Sequence, residues 1–307
     1  MPTFSPQRIV IVLLTVFVLP DNSQAASLEA QTLATVQGVP ITQDDVDRLM
    51  ASRLVPPAAR SKLQKQFLNQ LVDRQLVQNY LAKLKVVVDP KIIAARIQSI
   101  HARIKKSGDD PKKVLAKLGY TEDSFRKELT LPLAWQLHVK QIISRMELKQ
   151  LFAAERARYD GTELRARQIV LKLPANENAR QLAMTKLTVI RNKIVSGKIS
   201  FEAAAKKHST SPSRDKGGDV GFFAYRGRMP VSITKIAFGL KKSDVSKPFV
   251  TRFGVHLLQV TGRKPGQLSL EDARPEIFKR LSDERWKSTI SRLRKTAKIE
   301  WSNTTKK

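Results

Sequence analysis

Between Phe201 and Val260 the chain changes hydrophobic period three times over short distances. F-E-A-A-A-K-K-H reads as a short amphipathic helix, S-T-S-P-S and a double glycine as a turn, D-V-G-F-F as a strand, the segment after R-M-P as another helix, and F-G-V-H-L-L-Q-V as a closing strand. So many changes of period in so little chain leave room only for a small mixed α+β unit. Gly217 and Gly218 open backbone angles closed to other residues, with Asp219 as a turn residue beside them. They do not form a phosphate loop, because no lysine-serine follows and no helix starts there.

The unit begins upstream. Leu164 to Leu173 alternates like a half-buried strand, Asn176 caps a helix carrying Leu182, Leu187, Ile190 and Ile194, and Ser200 caps the helix that follows. His256 stands out because it lies in an apolar strand, where an imidazole without hydrogen bonds is costly. It reads either as a site residue or as a core histidine whose hydrogen bonds are met.

R-A-R-Q-I-V-L-K, F-E-A-A-A-K-K-H-S, G-G-D-V-G-F-F, R-M-P and F-G-V-H, in this order from about Glu163 to Arg263, resemble the parvulin-type peptidyl-prolyl cis-trans isomerase domain. The resemblance implies a catalytic group of His256, Gln168, Ser211 and Thr251, and a proline pocket of Met229, Ile233, Phe238 and Val220, with no cofactor and no metal. For Ile233 and Val220 a plain core role is equally open. The chain departs from the family in three places. Gln168 stands where a histidine is usual, Ser211 where a cysteine or aspartate is, and Ile233 where an aromatic is common. Gln168 can donate and accept but not titrate, and Ser211 is a poor anion at neutral pH.

The region from 28 to 160 reads as a helical domain with one edge strand. Leu33 to Ile41 forms a strand and turn, and Thr42 caps a helix. A long amphipathic helix runs from about Pro57 to Leu84, and Asp89-Pro90 and Asp110-Pro111 restart the chain as helices. Thr121 caps a helix that Pro132 should kink, and Ser144 with Glu147 begins the last one, to about Tyr159. His101, His138 and Trp135 read as structural. Residues 267–307 form an amphipathic helix and a short strand, Lys298 to Trp301, with nothing local to pack on. The pattern of helices resembles SurA-like periplasmic chaperones and foldases, which implies that this C-terminal segment folds back on the N-terminal domain.

The N-terminus reads as a signal peptide over residues 1–25: Arg8, an apolar run from Ile9 to Leu19, then Pro20 and Ser23-Gln24-Ala25. This places the protein in the periplasm or outside the cell. The chain has no cysteine, which excludes disulfides, thiolate metal sites, a thiol nucleophile and lipid attachment through an N-terminal cysteine. Its net charge of +29 over 307 residues attracts polyanions. No zinc pattern or base-stacking motif accompanies that charge, so no specific nucleic acid is expected, whereas weak association with an anionic membrane surface is. The expected partners are unfolded exported polypeptides containing proline. Two functions fit: an isomerase with chaperone activity, or a holdase with little catalysis.

Overall fold

The computed structural model describes residues 31–172 and 176–302. The segment that reads as a signal peptide, residues 1–25, lies outside them. The chain divides into two compact units, Met1–Ser144 with Arg280–Lys307, and Arg145–Lys279.

The first unit opens with strands β1 (Thr32–Val36) and β2 (Val39–Thr42), paired antiparallel across Gln37 and Gly38. What reads in the sequence as one strand and a turn is therefore a hairpin. Helices α1 (Gln43–Ser52), α2 (Pro57–Lys83), α3 (Pro90–Lys106), α4 (Pro111–Lys117) and α5 (Glu122–Ile142) follow. Their starts are chemically explicit. Thr42 and Thr121 form capping boxes with Asp45 and Ser124, and the carboxylates of Asp89 and Asp110 accept the backbone N–H of Lys91 and Lys112, both at 2.8 Å. Pro132 lies inside α5.

Helices α6 (Arg145–Ala154) and α7 (Arg156–Tyr159) group with the second unit, although the sequence alone attaches this stretch to the first. The second unit continues with β3 (Glu163–Leu171), α8 (Glu177–Val195), α9 (Phe201–His208), β4 (Asp219–Ala224), α10 (Val231–Ala237), β5 (Phe249–Thr251) and β6 (Gly254–Lys264). Asn176 and Ser200 cap α8 and α9 by accepting the N–H of Ala179 and Ala203. The four strands form one antiparallel sheet in the order β4-β3-β6-β5.

Period-two alternation sorts the side chains of this sheet onto two faces. Ile169, Val255 and Leu257 pack with Leu187 and Ile190 of α8 and Phe201, Ala204 and Ala205 of α9. On the other face Leu164, Ala166, Leu258 and Val260 pack with Phe223 and with Ile233 and Ala237 of α10. His256 belongs to this second face.

The last helix, α11 (Leu270–Thr296), contributes Leu270–Lys279 to the second unit and the rest to the first. Strand β7 (Ile299–Trp301) then pairs antiparallel with β1, completing a sheet of order β2-β1-β7. Ion pairing of Arg294 with Asp73 of α2 at 2.5 Å secures the segment. Among the described residues no helix is long and apolar enough to cross a membrane.

Candidate functional site

His256 lies on an inner strand. Across β3 it faces Val170, and across β5 it faces Phe249. Its imidazole is 2% exposed and stacks on the Phe249 ring, with centroids 5.4 Å apart and planes 18° from parallel. Thr251, diagonal to it on β5, places Oγ1 2.7 Å from His256 Nε2, and the same oxygen accepts the Phe253 N–H at 3.0 Å. The tight β5–β6 connection depends on Gly254, whose φ is +146°. A Cβ there would collide with the Leu171 carbonyl oxygen.

Gln168 occupies the opposite diagonal. It pairs with Leu258 on β6, two residues along from the Val170–His256 pair and on the same face. Its Nε2 donates to Ser211 Oγ at 3.1 Å, so those two residues meet as one pair while Thr251 and His256 meet as another. No hydrogen bond joins the pairs: Gln168 Oε1 and His256 Nδ1 are both buried without a partner. The turn carrying Ser211 is held against β3 by close backbone approach. Gly218, at φ +81°, accepts the Gln168 N–H at 2.8 Å, and a Cβ there would collide with the Gln168 carbonyl oxygen.

Ile233, 3% exposed, forms the floor of the apolar face. Met229, Phe238 and Val220 are half-buried and pack around it together with Phe249. Phe238 is also braced edge-on by Tyr225 at 5.2 Å. Met229 is steadied by its neighbour, since the Arg228 guanidinium donates to the carbonyls of Val220 and Phe222 and ties the loop to β4. Half-buried Met229, Phe238 and Val220 thus form an apolar patch with Ile233 and Phe249 on the sheet face that carries the buried His256.

Several contributors escape sequence reasoning. Phe249 lies in a strand only three residues long, too short to show a period. Ser209, 4% exposed, accepts the N–H groups of Val170 and Ser211, and Ser213 Oγ lies 3.0 Å from Ser211 Oγ. Loop serines carry no pattern that marks them. A cavity of about 240 Å³ lies elsewhere, in the first unit, lined in part by Ile41, Leu49, Leu71, Arg74, Tyr120 and Glu128. It holds an Arg74–Glu128 ion pair at 2.6 Å and no group suited to bond rotation. His138 is buried against Tyr80 and Trp135, a structural position.

Burial pushes the His256 imidazole down to about 4 from its usual 6.5. Between those values the unfolded chain takes up a proton that the folded one refuses. The stabilisation is therefore complete above about pH 6.5 and is lost as pH falls toward 4. A difference of that size corresponds to roughly 3 kcal/mol. Urea midpoints at pH 7 and pH 4.5 should thus drop further for the native chain than for His256→Asn. An equal drop would show that His256 is not the group that titrates.

The sequence model of the PPIC-type PPIase domain matches residues 169–262, and that of the SurA-like N-terminal domain matches residues 6–138. The chain therefore carries a parvulin-type peptidyl-prolyl isomerase domain behind a SurA-like N-terminal domain. The chain is similar to proteins named as SurA chaperones and PrsA foldases. SurA of Haemophilus influenzae is 27% identical over 91% of this chain and 92% of its own length. Chaperone SurA of a Polaromonas species is 37% identical, over 37% of this chain and 24% of that longer protein. The crystal structure of the peptidylprolyl isomerase PrsA from Bacillus cereus covers 90% of this chain and 95% of its own, with 21% identity and a TM-score of 0.47.

Proposed function

We propose that this protein is exported, holds unfolded exported polypeptides, and speeds cis–trans isomerisation of their X-Pro bonds on the face around His256. The observation that carries the reading is a buried, neutral histidine, hydrogen-bonded to Thr251 at 2.7 Å, beside half-buried Met229 and Phe238. The reaction breaks no bond. Rotation about a peptide bond meets a barrier of ~18–20 kcal/mol, and unassisted X-Pro exchange takes tens to hundreds of seconds. A surface that seats the proline ring and strips water from the amide favours the twisted state, in which C–N resonance is lost and charge separation falls. Met229, Phe238 and Val220 seat the ring over Ile233. The His256–Thr251 pair fixes the border of the seat, and Gln168 with Ser211 supplies neutral hydrogen-bonding groups beside it.

The test is isomerisation of a proline-containing peptide by the full chain. Met229→Ala is expected to lower kcat/KM about five- to tenfold, mainly through KM, because about 1–1.4 kcal/mol of apolar contact with the ring is lost. Effects from Met229→Ala, His256→Ala and Ser211→Ala that are equal and negligible would sink the site assignment. A second reading, a holdase with little catalysis, is favoured by Gln168, Ser211 and Ile233 standing where the family carries other residues. Suppression of client aggregation with no acceleration above buffer would select it.

A further inference from the structure

Helices α8 and α9 cover the sheet face opposite His256, and they carry a charge imbalance that the isomerase reading does not use. Between Glu177 and Glu202 the chain has Arg180, Lys186, Arg191, Lys193 and Lys198 and no acidic residue. Arg180 pairs with Glu177 at 2.6 Å, and Arg191 donates to the Ser246 carbonyl at 2.9 Å. Glu202 is taken by Arg167 and Lys206, at 3.3 and 3.2 Å. Lys186 and Lys193 of α8 and Lys207 of α9 are exposed and, among the described residues, form no ion pair. All three act on one point. The His208 imidazole is held below its usual range, first by partial burial and then by repulsion from Lys186, Lys207 and Lys193. Cations from two helices therefore gather beside His208 instead of spreading around the domain. Like charges gathered this way repel, and an anionic partner relieves the repulsion.

The second observation concerns apolar groups among those lysines. Leu182, Lys186, Val189 and Lys193 follow at spacings of four, three and four, which sets them on one stripe of α8. Leu187 and Ile190, on the adjoining stripe, already bind the helix to the sheet. Leu182 and Val189 are left 71% and 49% exposed. A soluble polyanion would satisfy the lysines and leave these two side chains in water. A lipid surface serves both kinds of group, with headgroup phosphates at the lysines and the leucine and valine in the acyl boundary.

We propose that the α8 stripe of Leu182, Lys186, Val189 and Lys193, with Lys207 of α9, is a docking surface for an anionic phospholipid surface. The inference goes beyond the isomerase reading and does not depend on it. The stripe belongs to the far side of the sheet, so lipid bound there leaves the His256 face uncovered.

The experiment is vesicle binding by the full chain. The readout is the excess bound to vesicles of mixed phosphatidylcholine and phosphatidylglycerol over vesicles of phosphatidylcholine alone. Lys186→Glu, Lys193→Glu and Lys207→Glu together are expected to lower that excess about 30- to 100-fold, and high salt should abolish it. Lys193→Glu alone, at about fivefold, serves where the triple variant does not fold. Lys105→Glu, Lys112→Glu and Lys113→Glu, exposed in α3 and α4, change the net charge equally and should cost less than about threefold. Leu182→Ser with Val189→Ser should lower the excess about three- to tenfold and leave binding of soluble polyglutamate unchanged. Equal losses from the two triple variants would show that net charge alone counts, and overturn the proposal. An excess untouched by the serine pair, with polyglutamate binding lost alongside the lysines, would mark a surface for acidic chains and overturn it as well. So would the absence of any excess on the anionic vesicles.

Discussion

His256→Ala is expected to lower kcat/KM on an X-Pro peptide about 30- to 100-fold, whereas Ser211→Ala should cost less than about threefold. The larger effect corresponds to about 2–3 kcal/mol of lost transition-state stabilisation. Its source is geometric. The imidazole stacks on Phe249 and is hydrogen-bonded to Thr251 Oγ1, so its removal frees the ring beside the proposed proline seat and leaves a buried hydroxyl without this partner. Ser211 touches Gln168 and Ser213 but neither His256 nor the apolar residues of the seat, so its loss reaches the reaction only through Gln168. Rates at fixed temperature, with near-UV circular dichroism to confirm folding, separate the two variants. A Ser211→Ala effect as large as that of His256→Ala would move the chemistry to the serine and discard the proposal that His256 borders the proline seat.

Most of the isomerase fold is legible in the sequence because its signals are local. Ser200 and Asn176 announce helix starts, and the alternation from Leu164 onward announces a strand, with the strand that carries His256 further on. The family resemblance also sets Gln168 opposite His256. It does not show that Gln168 turns away toward Ser211, because that depends on how the turn before Gly218 folds against β3. The Phe249 stack is invisible for a related reason: three residues of strand give no periodicity, and the contact is created only by pairing with β6. The same limit applies in the first unit. The capping signals at Thr42 and Thr121 are short-range and legible. The pairing of β7 with β1 links chain segments far apart in sequence, and Ile299 to Trp301 alone carries no sign of which strand it joins.

That long-range closure has its own energetic test. Trp135 of α5 is 1% exposed, meets Trp286 of α11 edge-on at 5.0 Å, and donates its indole N–H to Ser282 Oγ at 3.0 Å. Trp135→Ala removes a large buried ring, a buried hydrogen bond and an aromatic pair together, so a loss of about 3–5 kcal/mol is expected. For a domain of ordinary stability that is a large share of the total. Trp135, Ser282 and Trp286 all belong to the unit of Met1–Ser144 and Arg280–Lys307, which holds the SurA-like domain, and none lies on the sheet that carries His256. The variant should therefore show an early unfolding transition and lose most of its ability to suppress client aggregation. Its kcat/KM on a short proline peptide should stay within about twofold at temperatures below that transition. Trp135→Phe, which keeps most of the apolar packing but not the N–H, should lose only about 1–2 kcal/mol. Should Trp135→Ala abolish peptide isomerisation as well, the two units would not be energetically separable, and the division of labour between a client-holding unit and a proline-isomerising one would fail.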